Sequence, residues 1–468
     1  MDPERAKRRQ SAKIIISETI MVLAVVITVT ILAFIVSGYW LNSDFKVERN
    51  GLLQISSVPT GADIYIDGNS SWLQRTNTSK VLSSGEHSVK LTKDGYDSWQ
   101  KTINISEGLL YRIHYPRLFL QNRTPESLLD VTGTTLATTS PDHNSLILIN
   151  STTEWSFINL DSDEIKPEPI DISQIFSSVS LAPDATTGLF TGTIQDIKWD
   201  YDGTHALFKT NNTDTTEWVL LDVKNPTKSI NLTKEFGANF NEIQILDNSS
   251  NNLLAIRNGN LHKIDVSGKS ISAVLAENVT NFDHYNNEVV FSATTTSETP
   301  VNYIGLLKLG DDKITTLEET NSPVLVTLSR FYDDKYITVL SDRLVSLYKK
   351  EDFTKIKDFE LTFQPTSIKV GHNGEFITMS LDNQIATLDM EAMSVTEWQP
   401  SGKRFGWIDN DMVYAVADNS LIVYDFDGYN QRTIASNVSE HFPAAITNNK
   451  WLYYFSDGKL VREWLVAK

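Results

Sequence analysis

The sequence predicts an all-β protein: an N-terminal transmembrane helix, a small β-sandwich, and then a β-propeller of about seven or eight blades. Three observations predict it. One apolar run near the N-terminus is too long for any strand, short alternating apolar segments separated by Gly, Asn and Asp turns fill residues 50–117, and a related unit recurs from about Val131 to the end. At 468 residues, 40% hydrophobic and 21% charged, the chain is globular and long enough for about three domain-sized units. The boundaries read as a basic tail over 1–13, a transmembrane helix over 14–40, a sandwich over 50–117 and a propeller over 118–468.

The apolar run from Ile14 to Val36 follows Arg5, Lys7, Arg8, Arg9 and Lys13, and Tyr39 with Trp40 follow it. A bilayer core of about 30 Å needs a helix of that length, basic residues stay on the cytoplasmic side, and aromatic rings anchor an interface. The expectation is a single-pass membrane protein with its N-terminus in the cytoplasm and its bulk outside. A cleaved signal peptide is the alternative, set against an apolar stretch longer than the usual ~7 to 15 residues.

In the next segment the strands read as Gly51 to Ser57, Ala62 to Ile66, His87 to Thr92, Trp99 to Ile105 and Leu109 to Tyr115. Between them stand Pro59, Thr60, Gly61 and Ala62, then Asp67 and Gly68, Gly85 with Glu86 and His87, and Gly95 with Tyr96. Glycine supplies positive φ in such turns and proline pre-sets its own φ. In order and spacing these residues resemble the PEGA domain. Two positions depart from its pattern: Ser84 replaces the proline of a Pro-Gly pair, and Thr76, Asn77 and Thr78 replace a Thr-Pro. The resemblance implies a structural module of surface proteins set next to a membrane anchor, and gives its marker residues a turn role.

The recurring units begin near Leu136, Ile194, Ile243, Phe282, Leu325, Ile368, Phe405 and Ala444, at well-defined spacings of roughly 37 to 50 residues. Each reads as three or four short strands, which is the pattern of propeller blades. Asp202-Gly203, Asn258-Gly259, Asn373-Gly374 and Asp457-Gly458 fall between strands, where tight turns need positive φ. With Trp199 to Gly203 at the aspartate-glycine turn, the region resembles WD40-like propellers of the TolB type, without the Trp-Asp dipeptide of the stricter repeat. An early strand such as Arg117 to Leu120 is expected to close the ring; a pair of sandwiches is the structural alternative.

The chemistry is sparse. A net charge of −18 without a basic patch argues against nucleic acid. The absence of cysteine excludes disulfides, thiolate nucleophiles and thiolate metal sites. His87, His143, His205, His284 and His372 neighbour predicted turns and show no zinc spacing. The acidic groups at Asp161 to Glu164, Asp311-Asp312, Asp333-Asp334 and Asp409 to Asp411 match no calcium loop. No nucleophile elbow, phosphate loop or dinucleotide fingerprint occurs. No catalytic, metal or cofactor residue is therefore assigned, and no cofactor is expected. Asn77, Asn104, Asn122, Asn150, Asn231, Asn278 and Asn437 begin Asn-x-Ser/Thr sequons. Trp155, Trp218, Trp398, Trp451 and Trp464 suit packing between blades, whereas exposed aromatics on one propeller face would suit glycan or peptide binding.

The expected function is extracytoplasmic binding or scaffolding at the cell envelope by a non-enzymatic protein, with the membrane and a protein or cell-wall glycan as partners. An envelope hydrolase acting on glycans or peptides, and a purely structural spacer, are the alternatives.

Overall fold

The structure is a computed structural model describing residues 18–33, 39–41, 47–150, 154–173, 175–176, 194–211, 216–246, 249–311, 313–402, 404–439 and 442–466. It divides into two compact units, Met1–Phe119 and Leu120–Lys468.

In the first unit, residues 18–33 are helical, with Ile20, Leu23 and Ile27 exposed. Thr28 and Thr30 donate their hydroxyls to the carbonyls of Ala24 and Val26 at 2.8 Å, so these polar groups are satisfied within the helix. At about 1.5 Å per residue this stretch is about 24 Å long, and no helix among the described residues is long and apolar enough to cross a membrane. Residues 1–17 and 34–38, which hold the basic tail and the rest of the expected span, lie outside the described residues.

The sandwich has a three-stranded sheet, in which Gly51–Ile55 lies between Thr78–Leu82 and Leu110–Ile113. Its four-stranded sheet runs Asn69–Arg75, Asp63–Ile66, Gly85–Thr92, Trp99–Ile105. Strict alternation buries Leu53 and Ile55 on one sheet and Ile64, Leu91, Trp99, Ile103 and Ile105 on the other. Gly51 lies so close to Ile105 that a Cβ would come within 2.5 Å of its Cγ2. The strands Asn69–Arg75 and Thr78–Leu82 were not among the expected ones.

The second unit is built from eight four-stranded antiparallel sheets among the described residues. Their first strands are Leu136–Thr139, Ile194–Trp199, Glu242–Leu246, Val279–Tyr285, Leu325–Phe331, Ser367–Val370, Arg404–Trp407 and Ala445–Thr447, numbered here as blades 1 to 8. Seven of the expected unit starts fall inside these strands, and Ala444 immediately precedes the eighth. Second and third strands are buried on both faces, as in Ser145–Ile149 and Thr216–Asp222, because each blade packs against two neighbours. Fourth strands such as Lys355–Glu360 face solvent.

Shared cores join consecutive blades. Trp155 and Phe157 of blade 1 cluster with Phe208 and Val219 of blade 2; Trp218 of blade 2 clusters with Leu253 and Ile264 of blade 3. The series continues through Leu254 with Phe291, Val290 with Ile337 and Leu347 with Met379. Trp398 of blade 6 then packs on Ala415 and Tyr424 of blade 7. Ile446 of blade 8 donates its backbone N–H to Ile408 of blade 7 at 2.8 Å. Tyr453 and Phe455 of blade 8 share a core with Leu146 and Leu148 of blade 1. Each blade meets the next and the last meets the first, which makes a closed propeller and rules out a pair of sandwiches.

The closing strand is Glu126–Asp130, paired antiparallel with Lys459–Trp464, and not Arg117 to Leu120. The earlier segment is committed elsewhere: Arg117 bridges Val58, the Leu118 N–H bonds the Val58 carbonyl at 2.8 Å, and the Phe119 carbonyl accepts from Asp97 at 2.8 Å.

Candidate functional site

The first strands surround the channel of the propeller, and polar side chains tie several neighbouring ones together. Trp199 Nε1 donates to Thr138 Oγ1 at 3.1 Å; Gln244 Nε2 donates to the Phe282 carbonyl at 3.1 Å. Asn281 Oδ1 accepts the Val326 N–H at 2.8 Å, and Asp283 Oδ2 accepts the Leu328 N–H at 3.0 Å and the Thr327 hydroxyl. At one end of this barrel, on the face carrying the loops between first and second strands, a cavity of about 610 Å³ opens among blades 2 to 6.

The loops at its mouth are fitted closely. Tyr201 of blade 2 stacks on His372 of blade 6, with ring centroids 4.0 Å apart and planes 19° apart. Gly374, at φ +75, brings its Cα against blade 5 so tightly that a Cβ would fall 2.0 Å from the Arg330 carbonyl oxygen. Only glycine meets both demands. Burial pulls His372 below the usual imidazole value, against the charges of Asp142 and Asp202. Burial likewise lowers the nearby His143, against Asp409 and Asp142. Asp200, on the cavity wall, is pushed up by burial, but hydrogen bonds from His205 and Thr204 outweigh this and hold it below the ordinary carboxylate value. It therefore serves as an ionised loop anchor.

Ser329 Oγ and His284 Nδ1 are buried with no hydrogen-bond partner among the described residues, and Ser329 is only 2% exposed. Buried polar groups are normally paired. The exposed aromatics of this unit are Tyr201 at 53%, Tyr332 at 56% and Tyr429 at 58% among the described residues. Tyr201 and Tyr332 lie in loops between first and second strands and Tyr429 in a loop between third and fourth, which antiparallel order brings to the same face.

The turn markers of the sandwich are arranged as follows. Asp67 and Gly68, at φ 51 and 78, form the two-residue hairpin between Ile66 and Asn69, the conformation of a type I′ turn. Asp67 accepts the Ser88 N–H at 2.9 Å and sits 2.7 Å from His87 Nδ1, while His87 Nε2 lies 2.9 Å from the Ser83 carbonyl. The hydrogen bond to His87 lowers Asp67. Burial pulls His87 down, but its bonds to Asp67 and Ser83 prevail and leave it raised. Gly61, Gly85 and Gly95 adopt φ of 76, 120 and 81. Ala62 and Tyr96 are buried, and the Thr60 carbonyl accepts from Lys93 Nζ at 3.0 Å. Pro59 offers its carbonyl to the Ser57 hydroxyl at 2.7 Å. Thr76, where the motif departs from its pattern, accepts the Ala62 N–H at 3.0 Å and donates its hydroxyl to Ser57 Oγ at 2.8 Å.

Residues 50–117 match the PEGA domain. The PEGA domain therefore owes its markers to turn geometry. Among solved structures, the C-terminal WD40 domain of Sif2 is similar at 10% identity, with 74% of this chain and 99% of that one covered and a TM-score of 0.46. Hsv2 of Kluyveromyces lactis is similar at 12% identity over 65% and 98%, TM-score 0.43. An oligogalacturonate lyase in complex with manganese is similar at 16% over 57% and 88%, TM-score 0.38. No curated protein matches the chain.

Other polar and aromatic side chains have structural posts. Asp222, Asp265 and Asp389 end third strands and accept backbone N–H groups two or three residues on, and Asp409 does so in the first hairpin of blade 7. Asp312 lies outside the described residues. His205 sits 3.2 Å from Asp200 and 3.6 Å from Asp222. Asn231 is buried and caps the helix Leu232–Phe236 through Lys234 N, which is no place for a glycan. Trp155 and Trp218 are core residues. Tyr201 and Tyr332 are signalled in the sequence by nothing but an aromatic beside a turn.

Proposed function

We propose that the protein is a membrane-anchored recognition protein of the cell envelope, with its propeller outside the cytoplasm and the channel-end cavity as its binding site. The observation that carries this is the cavity itself, lined by Tyr201, Tyr285, Tyr332 and His372 and set on the face that exposes Tyr201, Tyr332 and Tyr429. Its size falls within the ~300–1,000 Å³ of small-ligand sites. The basic residues before Ile14 and the exposed apolar helix over 18–33 support the anchor and its orientation. Binding without catalysis is supported by Asp200, whose carboxylate is consumed by its loop.

Affinity capture from detergent extracts of the envelope, with the full-length chain as bait, tests this reading. The expected result is saturable retention of a protein or glycan that is lost when Tyr332 is replaced by asparagine. Retention of nothing, or retention indifferent to the cavity, contradicts it and favours a spacer.

A further inference from the structure

We propose that the three-stranded sheet of the PEGA domain lies on the surface of the membrane that holds the chain, with Leu52, Val81, Leu109 and Leu110 entering the lipid interface. The proposal rests on the anchored reading above and adds to it the surface on which the domain sits.

Strand register puts these residues together. Leu52 pairs with Val81 on one side and with Leu110 on the other. Its neighbours Gly51 and Leu53 are buried, so Leu52 and its two partners form one row across the outer face of the sheet. Val81, Leu52 and Leu110 are 63%, 37% and 38% exposed, and Leu109, which leads into the row, is 62% exposed. Among the described residues that follow the N-terminal helix, these four are the only exposed large hydrophobic side chains of this unit. Single exposed apolar residues are ordinary, whereas a contiguous set marks a contact surface.

The position of the row selects the membrane as its occupant. The next outward row is polar, with Gln54 between Ser79 and Arg112. The face thus grades from apolar to polar along Gly51–Ile55, and its apolar end is the one at which the chain arrives from the helix. Tyr39, the expected interface residue, pairs with Arg49, three residues before Leu52. Paired strands lie about 5 Å apart and each extended residue advances about 3.4 Å, which holds Leu52 within about 15 Å of Tyr39. Apolar groups of interfacial elements sink about 5–10 Å into the headgroup boundary, so the row is within reach of lipid, and the bilayer is its nearest apolar neighbour. Arg112 in the second row can lay its stem on apolar surface and keep its charge among phosphates.

The chain has no cysteine, so a single introduced cysteine carries a label alone. Full-length protein with bimane at Val81→Cys or Thr102→Cys is reconstituted into vesicles of phosphatidylcholine and phosphatidylglycerol, with and without lipid bearing a nitroxide high on its acyl chain. Thr102 is exposed on the other sheet. The Val81 label should be quenched by the nitroxide lipid and the Thr102 label should not. A label at Ser79→Cys, in the polar row, then reads the double variant Val81→Thr/Leu109→Gln, which should lower the docked-to-undocked ratio by about tenfold or more while keeping the melting temperature, because both side chains project into solvent. The inference is overturned if the Val81 and Thr102 labels are quenched alike, if neither is quenched while the chain stays with the vesicles, or if the double variant is quenched as before. Self-quenching between labelled copies in place of quenching by lipid assigns the row to a second copy and overturns it as well. A chain that does not enter the vesicles at all removes the anchored reading and the proposal with it.

Discussion

Replacing Arg123 by alanine should unlatch the ring. Arg123 precedes the closing strand Glu126–Asp130, and its Nε meets Glu463 Oε2 at 2.9 Å with side chains only 12% and 7% exposed. Its two remaining nitrogens donate to the Leu120 and Ile434 carbonyls at 2.6 Å. Glu463 also accepts the Tyr454 hydroxyl at 2.5 Å; burial and the adjacent carboxylate raise Tyr454 far above the phenol value, so it remains a donor. Alanine strips two carbonyls of their donor and leaves Glu463 buried with Tyr454 alone. Breaking a buried pair by removing one partner costs about 3–5 kcal/mol. Because Glu126–Asp130 pairs only with Lys459–Trp464 among the described residues, that cost should appear as local opening of blade 8, which is roughly a 10²- to 4 × 10³-fold gain in exchange at about 1.4 kcal/mol per tenfold. Hydrogen exchange followed by mass spectrometry would read it, with the second strand of blade 4, Glu288–Thr294, as the internal reference. Arg123→Lys keeps the charge without the fork and should fall between. A gain below about fivefold in the closing strand, or an equal gain in blade 4, would refute the latch.

The Asp67–His87 pair should make PEGA domain stability pH-dependent. His87 is raised, so its contribution is whole below the unfolded value near 6.5 and fades as pH rises through the folded one; Asp67 is lowered, so its contribution is lost as pH falls through its depressed value. Urea unfolding should show the domain more stable at pH 5.5 than at 8.5 by at most about 1 kcal/mol, since Asp67 is half exposed and screened, and His87→Ala should erase the difference. Gly374→Ala, at φ +75 with the Arg330 carbonyl in the way, should cost about 1–3 kcal/mol in thermal or chemical melts and weaken cavity binding as well. Trp218→Ala removes a fully buried ring and its bond to the Phe240 carbonyl at 3.0 Å; a loss of about 3–5 kcal/mol is expected in the same melts.

What the sequence revealed follows from burial. Strands such as Ser145–Ile149, covered on both faces, must be continuously apolar and are conspicuous. The outer strands have one wet face or two, so Glu126–Asp130 and Lys355–Glu360 carry charges and look like loops. The sequence therefore points to a closing strand at Arg117 to Leu120, too early in the chain. The hairpins Asn258-Gly259 and Asp457-Gly458 do have positive φ at both residues. At Asp202-Gly203 and Asn373-Gly374 only the glycine does, because those loops are longer than two residues. The site itself is written in single residues from distant blades: Tyr201 reaches His372 only after the ring has closed, which no spacing records.

The central claim, a tethered protein that displays its propeller outside the cytoplasm, is tested most directly by protease accessibility. An epitope tag placed after Lys468 is followed in intact cells and in lysed cells, alongside carbonate extraction of the membranes. The account predicts that protease removes the tag from intact cells while the full-length chain stays in the carbonate-resistant pellet. A tag protected until lysis, or a chain released by carbonate, would contradict it.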